Sequence, residues 1–102
     1  MDINEPLRTN FYIKWFDRQT KEVKREVIDG IINLKKGNFS NCSLLRKGVS
    51  ELKIYYGKGV RVYYTKNKDN TLILLYGGDD KKHQTEDIKK AIAIKESLRR
   101  QI

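Results

Sequence analysis

The stretch GVSELKIYYGKGVRVYY, Gly48 to Tyr64, decides the fold, because it reads as a β-hairpin. Leu52, Ile54, Val60 and Val62 alternate with Glu51, Lys53, Tyr55, Arg61 and Tyr63, the period-2 signature of strands with two unlike faces. Gly57, Lys58 and Gly59 supply the turn. A three-residue loop sets Tyr56 opposite Val60, Ile54 opposite Val62 and Leu52 opposite Tyr64, whereas a two-residue loop at Lys58 and Gly59 would mix the faces. On the other face Tyr55 then meets Arg61 and Lys53 meets Tyr63, with Glu51 one pair further on. The expectation is a clustered polar face, from which Arg61 can be removed without unfolding the chain.

Outward from the hairpin, a turn at Asn67 to Asn70 leads to a third strand, TLILLYGG, whose consecutive apolar residues predict a central strand buried on both faces. The segment from Gly37 to Gly48 reads as a loop with Arg46 and Lys47 at its exit. Before it, Thr20 can cap a helix with Val23, Val27, Ile31 and Leu34 as its buried stripe. Gly30 costs that helix about 1 kcal/mol relative to Ala, so the helix relies on packing. A shorter helix from Thr9 places Phe11, Tyr12, Trp15 and Phe16 on one stripe, read as core. In residues 1 to 8, Pro6 leaves room only for a short edge strand or an ordered arm. A last helix starts near Thr85, with Glu86 and Asp87 in its first turn, Ile88, Ala91, Ile92 and Leu98 on one side, and Arg99 and Arg100 at its end.

At 102 residues the chain is one domain, residues 1 to 102. Its 22 Lys and Arg outnumber 13 Asp and Glu for a net charge of +9. Such a field favours an anionic partner: nucleic acid first, then an acidic protein or anionic lipid. The lone Cys42 forms no intrachain disulfide, and with no secretory hydrophobic segment at the start a reducing, cytoplasmic setting is expected. The longest apolar run, Leu72 to Tyr76, is far below the roughly 20 residues of a membrane span. One Cys and one His cannot furnish the ligands of a zinc site. The expectation is therefore chemistry without a metal or other cofactor, with a carboxylate-bound magnesium ion left open.

Two readings of the hairpin's polar face compete. Antiparallel sheets commonly carry one solvated face of mixed charge. Alternatively, Arg61 offers a planar fork for phosphate, Tyr55 and Tyr63 offer rings or hydroxyls, and Lys53 and Glu51 complete a site for RNA. Cleavage of RNA without metal needs a base for the 2′-hydroxyl, an acid for the leaving oxygen and a cation for charge building on phosphorus. His83 is the only side chain here whose ordinary pKa, about 6.5, lies near neutrality. It is either an acid–base group or a polar residue before a helix. Arg46 and Lys47 are suited to guiding RNA rather than to chemistry, and Cys42 has no nameable basic partner.

Three pieces in order carry a resemblance: the Phe11 to Trp15 start, the Gly48 to Tyr64 hairpin, and LLYGGDDKKHQTEDIKKA from Leu74 to Ala91. Over roughly residues 8 to 96 the chain resembles the HigB-like addiction-module killer proteins of the RelE/ParE toxin superfamily. The resemblance implies an α+β microbial RNase fold. Two N-terminal helices would pack on a mostly antiparallel sheet of about four strands, with a further C-terminal helix. It also implies a toxin that cuts messenger RNA on the ribosome and is held inactive by an antitoxin, a helix-turn-helix DNA-binding protein. By position, Arg61 corresponds to the arginine of the family's YRVYF-like strand, and Lys53 stands where ELRI-like sequences carry arginine, keeping charge but losing the bidentate fork. Gly77, Gly78, Asp79, Gln84, Asp87 and Ile88 match the GGDK and Q-x-x-D-I pattern with one extra residue between them, in the segment of Lys81, Lys82 and His83. No tyrosine follows Tyr76 to fill the late role that some relatives give one. The implied catalytic set is Arg61, Lys53, His83, Glu51, Tyr63 and Lys82, with Arg46, Lys47, Tyr55 and Lys81 contacting RNA. Two other functions remain open at this point: a ParE-like toxin that poisons gyrase, which fold cannot separate from an RNase, and a non-catalytic basic RNA-binding module.

Overall fold

The structure, a computed structural model, describes residues 5–100, without the side chains of Arg99 and Arg100. The arginine side chains expected at the end of the last helix therefore lie outside the described residues, as does the start of the predicted N-terminal arm. Strand β1 (Leu7–Arg8) leads into α1 (Asn10–Asp17) and α2 (Lys21–Lys35), then β2 (Cys42–Leu44), β3 (Ser50–Ile54), β4 (Val60–Lys66), β5 (Leu72–Gly78) and α3 (Gln84–Arg100). Among the described residues the strands form one sheet in the order β1-β5-β4-β3-β2. All pairs are antiparallel except β1 with β5, so the class is α+β.

Local chemistry sets the elements. Thr9 caps α1 by accepting the Tyr12 N–H at 3.0 Å, and its hydroxyl also donates to the Leu75 carbonyl at 2.7 Å, tying the helix start to β5. Thr20 caps α2 in the same way through the Val23 N–H. Both helices bury their apolar stripes on one face of the sheet. Tyr12, Trp15, Val27, Ile31 and Leu34 meet Leu52, Val62 and Leu74 there. Phe11, placed on the same stripe by its spacing, is half exposed. Gly77 lets the Trp15 ring lie directly on β5, because a Cβ there would collide with the indole. Asn67 accepts the N–H groups of Asp69 and Thr71, building the expected β4–β5 turn.

Helix α3 covers the other face, where Val49, Tyr63, Leu75, Ala91 and Ile94 form a second core. This corrects two expectations. First, the polar face of the hairpin is not open: Glu51 is 1 % exposed, Arg61 7 % and Tyr63 0 %. Second, the register is displaced by two residues, with Lys53 opposite Arg61, Leu52 opposite Val62 and Glu51 opposite Tyr63. The connection is Tyr55 to Gly59, longer than a three-residue loop. A slip of two preserves which side chains share a face, so the alternation that sorts the faces cannot detect it. The segment expected to be a loop contains β2, an edge strand paired with β3. Strand β5 is interior as predicted, but β4 is the middle strand and β1 lies outside β5 as a parallel edge. Among the described residues no helix is long and apolar enough to cross a membrane.

Candidate functional site

The turn Tyr55–Gly59 and the turn from β5 into α3 meet at one end of the sheet. Lys58 and Asp80 form a parallel bridge, and the Lys81 N–H donates to the Lys58 carbonyl at 2.9 Å. Asp80 accepts the Lys82 N–H at 3.0 Å, capping a single 3-10 turn, Lys81–His83, that runs into α3. That hydrogen bond, with the charges of Lys82, Lys58 and His83 nearby, holds the Asp80 carboxyl below the usual carboxylate range. The predicted residues Lys53, Arg61, Lys81, Lys82 and His83 thus come from three separate stretches to one end of the molecule. Lys81, Lys82 and His83 are all exposed there.

Arg61 is the centre of the arrangement. Its Nη1 donates to the Gly59 carbonyl at 2.9 Å, and its Nε lies 3.3 Å from Glu51 Oε2. That separation is an ion pair, but among the described residues the alignment leaves the buried Nε without a hydrogen bond. Glu51 Oε2 also accepts Gln84 Nε2 at 2.8 Å, so the first residue of α3 is fastened to β3 through the same carboxylate. Gly59 adopts φ +107°, and a Cβ there would stand 2.9 Å from Arg61 Nη1. Glycine is required both by the backbone conformation and by the guanidinium packed against it.

Beside this pair lies a cleft of about 260 Å³ lined by Lys53, Tyr55, Tyr56, Gly59 and Arg61. Tyr55 is 78 % exposed at its lip, free to offer a ring. Tyr63 is different. Among the described residues its hydroxyl, buried beneath α3, has no hydrogen-bond partner, and burial, then the negative charges of Glu51 and Asp87, push its pKa well above the ordinary phenol value. In this arrangement it is a core residue and supplies no phenolate near neutral pH. Asp87 sits on the Cα of Gly78, its pKa raised by burial despite the nearby charges of His83, Lys90 and Arg61.

Arg46 and Lys47 are not part of this cluster. They occupy the β2–β3 turn, at the far end of β3, and five residues of strand separate the two turns by about 16 Å. There they join Lys95, which packs against Gly48, and Lys66, whose ammonium lies 4.9 Å from the Phe39 ring. Gln84 and Asp87 were recognised only as part of a matched pattern. Nothing in spacing alone reveals that Gln84 grips a glutamate 33 residues earlier in the chain. Lys58 and Asp80 were likewise missed as the bridge joining the two turns; the charged residues beside glycines were the available signal. Among the described residues no group of His, Cys, Asp and Glu could hold a metal ion.

The fold is that of a small α+β protein with Lys53, Arg61, Lys81, Lys82 and His83 gathered at one end. Residues 14–97 match the model of the family described as phage-derived protein Gp49-like (DUF891), and the chain belongs to that family. It is also 37% identical over 75 residues to an uncharacterized protein of Haemophilus influenzae, an overlap covering 74% of this chain and 75% of that one.

Proposed function

We propose that the protein is the toxin of a type II toxin–antitoxin pair and cuts messenger RNA on the ribosome, in the cytoplasm, without a metal. The observation that carries this reading is the convergence at one sheet end of the Lys53–Arg61 cleft and the exposed Lys81, Lys82 and His83. Family membership supports the toxin half of it.

In this reading Lys53 and Arg61, which line the cleft, hold the scissile phosphate, and Tyr55 stacks on a flanking base. Glu51 does not touch RNA; it positions Arg61 from below. His83 takes the proton of the 2′-hydroxyl as that oxygen attacks phosphorus. Lys82 or protonated His83 then gives a proton to the departing 5′-oxygen, leaving a 2′,3′-cyclic phosphate and a 5′-hydroxyl. With one buried and one flexible cation, the site orients free RNA poorly. A ribosome holding the message in line would supply positioning worth up to about 7 to 11 kcal/mol. The far basic end, with Arg46, Lys47, Lys66 and Lys95, docks on ribosomal RNA in a salt-dependent manner. An acidic or amphipathic antitoxin segment would cover the cationic end and block it.

Purified protein incubated with one message, with and without programmed ribosomes at matched salt, tests the proposal. Cuts confined to the ribosome arm are expected, and equal rates on naked RNA would remove the ribosome from the mechanism. The same fold could instead bind RNA without cutting it, a reading favoured by the engagement of Arg61 with Glu51 and Gly59. Induced protein that binds RNA yet leaves growth and transcript 5′ ends unchanged would establish that second reading.

A further inference from the structure

A second cleft adjoins the one at Arg61, and the mechanism above does not use it. Its volume is about 220 Å³, and Lys53, Ile54 and Tyr55 line both. This is smaller than the space that drug-sized ligands occupy and suits a single planar group. Its wall on α2 carries Glu26, Asp29, Gly30 and Asn33, at the i, i+3, i+4, i+7 spacing that shares one helix face. Gly30 brings that face close to β3: a Cβ there would press on Ile54 Cδ1 at 2.6 Å. The helix interior thus carries a glycine where a polar stripe has to reach the strand end.

On a chain of net charge +9, two carboxylates in one cleft stand out. Neither Glu26 nor Asp29 makes an ion pair with a described residue. Carboxylates repel phosphate, so an RNA backbone held by Lys53 and Arg61 would keep outside while its base enters. A carboxylate only accepts hydrogen bonds, and among the four RNA bases guanine alone presents two adjacent N–H donors on its Watson–Crick edge. Asn33 and Asn41, which also line the cleft, can donate to the neighbouring carbonyl oxygen of such a base.

We propose that this second cleft is a base-recognition subsite selective for guanine, with Asp29 and Glu26 as the specificity-determining residues. The inference rests on the reading that the adjoining Lys53–Arg61 cleft takes an RNA phosphate. Tyr55, exposed between the two clefts, stacks on the base as it turns in.

The test is a titration of the full chain with the 5′-monophosphates of guanosine, inosine, adenosine, cytidine and uridine, followed by the side-chain amide resonances of Asn33 and Asn41. Guanosine monophosphate is expected to bind about tenfold more tightly than the others, the discrimination of a good bidentate contact. Inosine monophosphate, which lacks the 2-amino donor, should fall towards the rest. Asp29→Asn combined with Glu26→Gln should abolish the preference, while Lys53→Ala weakens all the nucleotides together. Equal affinity for every base, or a preference that survives the double variant, overturns the subsite. So does tighter binding of N-acetyl-arginine amide than of guanosine monophosphate, which would assign the cleft to a basic peptide. A guanosine preference in a protein that cuts no message upholds the subsite and removes only the cleavage reading. Cleavage with no base preference does the reverse.

Discussion

Arg61→Ala should cost this protein much of its stability, and the magnitude follows from what remains behind. Glu51 is 1 % exposed and faces Arg61 Nε at 3.3 Å, with Gln84 Nε2 as its other polar contact among the described residues. Truncating the arginine leaves a carboxylate desolvated and held by one neutral donor, which costs about 3 to 5 kcal/mol when a buried pair is broken from one side. The Gly59 carbonyl also loses its Nη1–H donor. Against a total of about 5 to 15 kcal/mol for a domain, that is a large fraction. In urea, with a slope of about 2 kcal/mol per molar, the midpoint should fall by about 2 M. Replacing both members, Glu51→Leu with Arg61→Met, should recover most or all of the loss, because it removes both charges from the interior. A midpoint shift below about 0.5 M for Arg61→Ala would refute the reasoning, since the guanidinium would then be solvated and Glu51 not dependent on it. Loss of toxicity in Arg61→Ala therefore speaks for chemistry only in cells where the variant is shown to be folded.

Three further expectations follow from contacts in the fold. Gly77→Ala drives a methyl into the Trp15 ring and should cost about 1 to 3 kcal/mol or more; because Trp15 is the single tryptophan, a red shift of fluorescence reports its expulsion, and an unchanged spectrum with unchanged stability would contradict the packing. Thr20→Ala should cost about 1 kcal/mol as a simple cap, whereas Thr9→Ala loses both a cap and the bond to Leu75, so its urea midpoint should fall further; equal shifts would deny the tie to β5. Asp80 has its pKa lowered on folding, chiefly by the Lys82 N–H, so its contribution is present above the unfolded value and disappears as pH falls below about 4. Asp80→Ala should flatten that part of the acid stability profile, and a profile identical to the parent would show that the turn does not depend on the carboxylate.

Where local chemistry decides, the fold was legible in the sequence. Thr20 announces its helix because a hydroxyl before an apolar stripe satisfies an otherwise unpaired N–H, and the helix after Thr9 is announced by the spacing of Phe11, Tyr12, Trp15 and Phe16. The run from Leu72 to Gly78 announces an interior strand because it is apolar at consecutive places. Strand β2 was illegible for the complementary reason: Cys42, Ser43 and Leu44 lie on an edge, largely exposed, and their pairing with β3 leaves no hydrophobic trace. The site was half legible. Residue type picked out Arg61, Lys53, Lys81, Lys82 and His83, which do come together. The covering of Glu51, Arg61 and Tyr63 by α3 was not foreseeable from a hairpin whose alternating residues look like a solvated face.

The register shows why that burial matters to the fold as much as to the site. A two-residue slip would keep every apolar residue of β3 and β4 on its own face, so hydrophobic burial scarcely distinguishes the two registers. The ion pair does. In the observed register Glu51 faces Tyr63 and Arg61 faces Lys53, which makes Glu51 and Arg61 diagonal neighbours, about 7 to 8 Å apart at their backbones and within reach of long side chains. In the three-residue-loop register Arg61 would face Tyr55, four residues along β3 from Glu51, or about 13 Å at strand rise. Glu51 would then be buried without its cation, at a cost larger than any gain from the tighter turn. Gln84 adds to the pair, because the same Glu51 oxygen that faces Arg61 also accepts its Nε2–H and fastens α3 there. The same pair thus selects one hairpin register, anchors the start of the last helix, and holds Arg61 where it lines the cleft.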